Sequence, residues 1–149
     1  MGSDCVFCRI IEGHAPASMV YRDSVCCAFL DIRPINTGHV LVIPLEHATG
    51  LGDLPEAAGA HMFRIGQRIA AALRHSGHRC QGINLFLADG QVAGQEVFHV
   101  HLHVIPRYAG DGFGLRFGPM NRQPTSRSEL DETAMRLRAA LAALPEAEK

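Results

Sequence analysis

Three histidines occupy alternate positions in the stretch FHVHLHVIPR, which runs from residue 98 to residue 107. Side chains of a β-strand point alternately to its two faces, so His99, His101 and His103 are expected to share one face. Neighbours on that face lie about 6.6 Å apart along the strand, and the outer pair about 13 Å apart, which argues against one metal ion bound by all three. The opposite face is expected to be core, formed by Phe98, Val100, Leu102 and Val104.

The side chain repeated here is the one that can attack, protonate or ligate near neutral pH. A single histidine on a sheet face is most simply a half-exposed surface residue. Three in strict alternation are a poor choice for covering a solvated face. The pattern therefore predicts a chemical site.

A second group of candidate ligands lies upstream, where Cys5 and Cys8 have C-x-x-C spacing and His47 follows a predicted strand. Two Cys and two His are a common ligand set for structural zinc. Two alternatives stay open: the cysteines can be small buried apolar residues, or a redox pair, although no βαβ pattern surrounds them. An odd number of cysteines favours free thiols or metal ligands over disulfides, and the remaining three are interpreted as buried thiols: Cys26, Cys27 and Cys80.

The elements that must position these residues are mainly short strands. Residues 18–21 and 26–31 flank turn residues and predict a hairpin. Residues 38–44 form a β-branched run ending in proline, and further strands are predicted at 83–89 and in the histidine run. Short connections without early crossover helices predict an α+β fold with an antiparallel sheet of about five strands.

Two main helices are also predicted. The first is expected to begin near Asp53 and Glu56, which are spaced as a capping box, and to end at Gly77. The second is expected from about Ser128 to Pro145, after a glycine-rich loop. Its apolar face would comprise Leu130, Ala134, Leu137, Leu141 and Leu144. The histidines without motif spacing are interpreted as surface or cap residues: His14, His61, His75 and His78.

Length and charge limit the possible functions. A chain of 149 residues can form one domain with a real core, here expected over residues 1–149. The formal net charge of -1 and scattered basic residues give no stripe for a long nucleic acid. The N-terminus lacks an apolar signal region, and no run is long enough to span a bilayer. A cytoplasmic location without a membrane partner is therefore expected.

Together these motifs resemble the histidine triad (HIT) family of nucleotide hydrolases and transferases, in particular its zinc-bearing, HINT-like branch. The resemblance is carried, in the family's order and spacing, by LDIRP at 30–34, GHVLVIPLEH at 38–47, AGQ at 93–95 and HVHLHV at 99–104. It covers about residues 5–108 and implies a HIT-like fold, with a C-terminal loop and helix over 109–149.

The resemblance implies a role for each active-site histidine. His101 is the nucleophile on an α-phosphorus and forms a covalent nucleotidyl-histidine that water then cleaves. His103 stabilises charge near the scissile bond or helps to protonate the leaving group. His39 faces the same phosphate, and His99 orients the nucleophile through its backbone carbonyl.

In the zinc-bearing branch the first triad histidine also ligates metal, together with the C-x-x-C pair and the histidine after the VIP strand. Cys5, Cys8, His47 and His99 match those positions. A structural zinc would then anchor the N-terminal segment to His99 and, through it, hold His101.

Nucleoside recognition follows from the same resemblance. Asp31 matches the acidic residue that accepts hydrogen bonds from the ribose hydroxyls. Gly94 and Gln95 lie where backbone N–H groups can approach an anion, and Gln95 can add a side-chain donor. The apolar walls of the base pocket are matched by Phe7, Ile10, Phe29 and Ile32.

Two positions depart from the family pattern. Glu96 stands where Ser or Thr is usual in the substrate-binding loop, and a carboxylate near phosphate is unfavourable unless it is protonated or turned away. Ala88 replaces a frequent Asn. Both changes remove polar contacts, so turnover or leaving-group preference is expected to differ from other members.

The leading hypothesis is a nucleotide hydrolase acting at the α-phosphate of nucleoside phosphoramidates or dinucleoside polyphosphates and releasing a nucleoside monophosphate such as AMP. The alternative is a zinc-stabilised purine-nucleotide-binding module with little turnover, motivated by Ala88 and Glu96. A metal-dependent hydrolase is a third possibility, but the Asp or Glu ligands typical of such centres are missing from the histidine motif. The resemblance also implies a homodimer.

Overall fold

A computed structural model of the chain describes residues 4–115 and 123–146, which form one five-stranded antiparallel sheet and three α-helices. In chain order the elements are α1 Val6–Ile11, β1 Met19–Arg22, β2 Cys26–Leu30, β3 Val40–Pro44, α2 Glu56–His75, β4 Gly82–Phe86, β5 Leu102–Arg107 and α3 Arg127–Ala143. The strand order is β1-β2-β3-β5-β4. The predicted α+β class and five-stranded sheet are confirmed.

One face of the sheet packs against α2. Gly66 lets the helix approach closely, because a Cβ there would lie 3.0 Å from Leu102 Cδ2. Burial of each large apolar side chain contributes about 1.5–3 kcal/mol. The core on this face includes Cys26, Ala28, Val40, Val42, Met62, Ile65, Ile69, Leu73, Leu102 and Val104.

The opposite face carries the alternate residues of the same strands and is covered in part by α1. Phe7 from α1 packs there with Cys27, Phe29, Leu41 and Ile43. His103 pairs across β3 and β5 with Leu41, so its side chain belongs to this second face. The sheet thus separates the α2 core from the face that carries the triad.

The histidine run differs from the predicted uninterrupted strand. β5 begins only at Leu102, so His99 and His101 precede it. Val100 N donates to Ala48 O at 2.7 Å, which ties this segment to the loop after His47. All four residues from 99 to 102 are buried, although alternate ones were expected on opposite faces. Phe98, expected in the core, is 48% exposed.

The helix starts also differ from expectation. The predicted capping box of α2 is wrong, since its N-cap is Pro55 and Asp53 instead accepts a hydrogen bond from Thr49 N. A capping box does begin α3, formed by Ser126 and Glu129. α1 was not predicted, because six residues are too few to display a helical period.

The chain divides into two compact units, Met1–Asp111 and Gly112–Lys149. The first contains all strands of the described residues together with α1 and α2, and the second contains α3. The expected apolar face of α3 includes exposed leucines at 130, 137, 141 and 144.

No helix among the described residues combines the length and apolarity that a membrane crossing requires.

Candidate active site and metal centre

His101 is buried at the entrance to β5, and a backbone acceptor determines its tautomer. Its Nδ1 lies 2.8 Å from the carbonyl oxygen of His99. Because a carbonyl can only accept, Nδ1 carries the hydrogen and Nε2 carries the lone pair. A neutral His101 therefore presents a nucleophilic nitrogen that need not lose a proton.

Phe7 holds the same ring from α1. Its ring centroid lies 5.3 Å from that of His101 and 5.9 Å from that of His99, both in edge contacts. Such contacts favour a defined ring orientation. The short helix therefore contacts two of the three triad rings.

A second chain of hydrogen bonds fixes the His39–His103 pair. Ile35 N donates to His39 Nδ1 at 3.1 Å, so His39 carries its proton on Nε2. That nitrogen lies 2.8 Å from His103 Nδ1, which must accept. The hydrogen of neutral His103 is then on Nε2. The ring centroid of His103 lies 4.9 Å from that of His101.

Burial keeps both members of this pair uncharged. Burial, reinforced by His101 and His39 and opposed by Asp31, lowers the pKa of His103 to about 4. Burial also lowers the pKa of His39, with Asp31 opposing and His101 reinforcing the shift. Both rings are therefore neutral at pH 7. The opposing charge is close, since Asp31 Oδ2 lies 3.7 Å from His39 Nε2.

The four sequence-predicted metal ligands come together, with donor atoms within 4.8 Å of one another. Cys5 Sγ and Cys8 Sγ each lie 3.6 Å from His99 Nδ1, and Cys8 Sγ lies 3.3 Å from His47 Nδ1. Zn–S and Zn–N bonds of about 2.3 and 2.0–2.1 Å place S and N about 3.5 Å apart in a tetrahedron. The donor spacing therefore fits zinc.

The protonation pattern of His99 supports the same fit. Its Nε2 lies 2.9 Å from the carbonyl oxygen of Pro44 and donates to it. The Nδ1 lone pair therefore faces the two sulfur atoms, as a metal-ligating histidine requires. His99 thus directs Nδ1 to the cysteines and its own carbonyl to His101.

In a different cluster, formed by Asp23, Cys26 and His61, the carboxylate and imidazole atoms are already used in hydrogen bonds within the protein. Asp23 accepts from Cys26 N, Tyr21 Oη and His61 Nε2, and these bonds hold its pKa far below the usual range although burial opposes ionisation. His61 Nδ1 faces Arg64 Nη2 at 3.1 Å. His61, interpreted above as a surface or cap residue, instead links α2 to the β1–β2 turn.

The residues matched to nucleoside recognition have different surroundings. Asp31 Oδ1 accepts from Arg33 N at 2.8 Å, beside the His39 contact of Oδ2. Phe7 and Phe29 are buried in edge contact, and Ile10 packs against their cluster. Ile32, by contrast, is 89% exposed. The apolar residues near His101 are thus part of the core.

The loop before the triad is built on an internal amide network. Gln95 Oε1 accepts from Gly90 N, while Nε2 donates to Thr49 O at 2.6 Å and Val97 O at 3.1 Å. Both side-chain hydrogens are therefore used, unlike the expected donation to an anion. Gly94 has a φ of +93°, a conformation that favours glycine, and its loop is held by Gln95.

Glu96 is turned away from the body of the protein. Its side chain is 84% exposed, and Glu96 Oε2 lies 3.8 Å from Arg33 Nη2. A pair this exposed contributes about 0–1 kcal/mol. Solvation of Glu96 lessens the expected repulsion of phosphate, whereas Ala88 is buried and offers only an apolar side chain.

Sequence reasoning missed the Ile35 N–H group and the buried Asn36 next to it. A backbone N–H carries no side-chain signal. Asn36 is one of several turn-forming residues in its loop, so its type suggested only a turn.

A family model described as the HIT domain matches residues 12–110. The chain is 46% identical to a Zn-bound histidine triad family protein from Mycobacterium smegmatis, with 97% of this chain and 98% of that chain covered and a TM-score of 0.72. It is 35% identical to SMU.412c from Streptococcus mutans, with 95% and 87% covered and a TM-score of 0.86.

Another relative is adenylylsulfatase HINT3 of Arabidopsis thaliana, 38% identical over 110 residues, which are 73% of this chain and 55% of the relative. The matched HIT domain includes the three triad histidines and His39. This match and the 46% identity to a solved histidine triad protein show that the chain belongs to the histidine triad family.

Proposed function

We propose that the protein is a nucleotide hydrolase that cleaves at the α-phosphate of nucleoside phosphoramidates or dinucleoside polyphosphates and releases a nucleoside monophosphate such as AMP. The observation that carries this proposal is the hydrogen bond from His101 Nδ1 to the His99 carbonyl. It leaves a lone pair on Nε2 of a buried, oriented imidazole. A relative named as an adenylylsulfatase adds support for hydrolysis.

In the first step, His101 Nε2 attacks the α-phosphorus. The N–P bond forms as the bond from phosphorus to the leaving nitrogen or oxygen breaks, and the leaving group takes the bonding electron pair. The positive charge on His101 is shared through Nδ1–H with the carbonyl of His99. Dividing the displacement into two steps lowers each barrier.

The His39–His103 pair stabilises the leaving group in this scheme. The lone pairs of both rings already accept hydrogen bonds, at His39 Nδ1 from Ile35 N and at His103 Nδ1 from His39, so His103 Nε2–H donates to the leaving atom as negative charge develops there. The departing group takes its proton from water. In the second step water attacks phosphorus and releases a proton to solvent, and His101 Nε2 recovers its electron pair.

Asp31 would accept hydrogen bonds from the ribose hydroxyls, because its carboxylate is partly exposed beside His39. Phe7, Ile10 and Phe29 would support the base side from within the core, with Ile32 at its exposed margin. Gly94 N already donates to Gln91 O at 3.0 Å, so Gly94 would serve the phosphate site through the shape of its loop, which Gln95 holds in place.

Cys5, Cys8, His47 and His99 would hold a structural zinc, whose contribution is to cross-link these ligands. His99 would then be held on both sides, by the metal at Nδ1 and by Pro44 O at Nε2. Its carbonyl is the group that orients the nucleophile. A structural metal would therefore act on catalysis only through the placement of His101.

A zinc-stabilised purine-nucleotide-binding module with little turnover is the second candidate. The observation that favours it is the loss of polar contacts around the phosphate. Ala88 supplies no side-chain donor, and Gln95 uses both amide hydrogens within its loop.

One experiment separates the two candidates. Protein is mixed with an adenosine phosphoramidate, quenched early and analysed by mass for an adenylyl adduct on His101. The hydrolase predicts this adduct in the wild type and loss of hydrolysis by at least about 1,000-fold in His101→Ala, because the covalent route is removed. Nucleotide binding without AMP release by the wild type would favour the module.

We further infer a cytoplasmic homodimer in which two copies pair along a sheet edge. β4 is an edge strand, and its Phe86 is 42% exposed. Pairing of two such edges would cover the unpaired backbone groups.

A further inference from the structure

A buried polar cluster joins the loop before β3 to the end of β5. Asn36 Nδ2 donates to Asp111 Oδ2 at 2.8 Å and to Pro106 O at 2.9 Å. Asp111 also accepts two hydrogen bonds from Arg107, at 2.7 and 2.8 Å. Arg107 Nη1 in turn donates to Asn84 on β4 at 2.6 Å. Asn36, Asp111 and Arg107 are called the loop clamp below.

Asn36 and the Asp111 carboxylate, two members of the clamp, are shielded from water. Asn36 is 7% exposed, and the Asp111 side chain is 3% exposed. Buried polar groups hold their geometry because each lost hydrogen bond leaves a desolvated partner. A bidentate Arg–carboxylate pair adds directional constraint. Such a cluster fixes the middle of the loop more firmly than exposed turn contacts could.

The loop held in this way carries the donor that determines the His39 tautomer. Ile35, next to Asn36, donates its N–H to His39 Nδ1. The carbonyl of Asn36 accepts from His39 N at 3.0 Å. Clamping Asn36 therefore keeps both a backbone donor and a backbone acceptor in place around His39.

We propose that Asn36 is a positioning residue: through the loop clamp it keeps Ile35 N–H on His39 Nδ1, so that His39 Nε2–H points to His103. The inference rests on the proposed hydrolase function for its kinetic consequence, but not for its structural one. Without the clamp, His39 can place its proton on either nitrogen and the His39–His103 bond is lost in part of the molecules.

Nucleotide binding should be affected less than chemistry. Asp31 directly follows Leu30, which pairs with Val40 in the β2–β3 ladder. Asp31 N also donates to His39 O at 2.9 Å. The ribose-binding carboxylate is therefore anchored by the sheet, whereas the Ile35 donor depends on the loop.

The test compares Asn36→Ala with Asn84→Ala. Asn36→Ala removes the two hydrogen bonds that Asn36 Nδ2 donates, to Asp111 Oδ2 and to Pro106 O. Asn84→Ala removes an acceptor of Arg107 on the far side and leaves the bond from Asn36 to Asp111, so it is the matched control. Because Asn36→Ala can impair folding, the near-isosteric Asp111→Asn provides a milder disruption of the same cluster.

The first readout is the pair of ¹⁵N chemical shifts of the His39 ring, which distinguish a protonated from an unprotonated nitrogen. We expect wild type and Asn84→Ala to show a single tautomer with the proton on Nε2. Asn36→Ala should show mixed tautomers, and Asp111→Asn a smaller change in the same direction. An unchanged His39 tautomer in a folded Asn36→Ala or Asp111→Asn protein would overturn the proposal.

The second readout is kinetic. Asn36→Ala should lower kcat for adenosine phosphoramidate by about 10- to 100-fold, the size of effect that misplacement near 1 Å can produce. AMP affinity and the activity of Asn84→Ala should change little. An equal loss in both variants would overturn positioning through the loop. A wild-type protein without hydrolase activity would refute the proposed function while the ¹⁵N shifts still test the clamp.

Discussion

Backbone groups, which do not titrate, set the tautomers of three histidine rings. His99 and His101 donate to backbone carbonyls, and His39 accepts from Ile35 N. The tautomer of His103 is set in turn by its hydrogen bond with His39. The consequence is a defined location for each proton and lone pair before any ligand binds, which is the preorganisation that electrostatic catalysis requires.

One residue-scale prediction concerns acid stability. The pKa of His103 is about 4 in the folded protein and about 6.5 in an unfolded chain. Between these values the unfolded chain binds more protons, so the free energy of unfolding should fall as pH drops from about 6.5 toward 4. His103→Asn should weaken this pH dependence by about 1–3 kcal/mol, measured by denaturant unfolding at pH 7 and pH 4.5.

The control for this measurement is His75→Asn, a change at an exposed position near the end of α2. It should keep the wild-type pH dependence. Burial also lowers the pKa of His39 and His99, so some pH dependence should persist in His103→Asn. A slope unchanged from wild type in His103→Asn would contradict the assignment.

At the scale of elements, the segments without regular structure do much of the positioning. The loop from 31 to 39 supplies Asp31, the Ile35 donor and His39, while the loop from 90 to 97 is held by the Gln95 amide. α1 supplies Phe7, and the sulfur of its N-cap residue Cys5 accepts from Cys8 N. β3 and β5 provide the rigid frame on which these segments converge.

Gly38 tests how closely the loop must pack on α2. Its φ is +97°, and a Cβ there would lie 2.9 Å from Leu73 Cδ2. Gly38→Ala should therefore lower the free energy of unfolding by about 2–4 kcal/mol, combining backbone strain with overpacking. Gly13→Ala is the matched control, because Gly13 has a φ of +78° with open space around it.

Gly13→Ala should lower the free energy of unfolding only by the backbone strain, about 1–2 kcal/mol. Urea unfolding of both variants gives the two values. Equal destabilisation at the two positions would show that contact with α2 adds nothing at Gly38.

For the molecule as a whole, the sheet places the α2 core and the candidate site on opposite faces. One face is filled by α2, and the other carries the triad and the candidate zinc ligands. The candidate metal ligands lie beside His101, the proposed nucleophile, because His99 is one of these ligands and its carbonyl accepts from His101. Stability and catalysis should therefore be coupled through the metal.

Zinc removal tests that coupling. Cys8→Ser should bind zinc more weakly and lower the Tm, since structural zinc contributes free energy to the folded state. Metal analysis and thermal unfolding of the purified protein measure both effects. Cys80→Ser, a change at a partly buried cysteine outside the metal cluster, is the control and should keep its zinc. A wild type that lacks zinc and has the Tm of Cys8→Ser would refute the metal site.

The sequence alone predicted the class of fold and the family, and it singled out Cys5, Cys8, His47 and His99, whose side chains do come together. These features were predictable because they depend on side-chain type and spacing, which are visible in the chain. The sequence did not predict α1, the start of β5 at Leu102 or the hydrogen bonds of the Gln95 amide within its own loop.

Only the tertiary structure decided where the protons reside. The partners that set them are the carbonyls of Pro44 and His99 and the N–H of Ile35. Every non-proline residue carries the same backbone donor and acceptor, so sequence holds no local sign of which one will meet a given ring. That choice arises when β3, β5 and the intervening loops pack together, because packing determines which backbone group each imidazole faces.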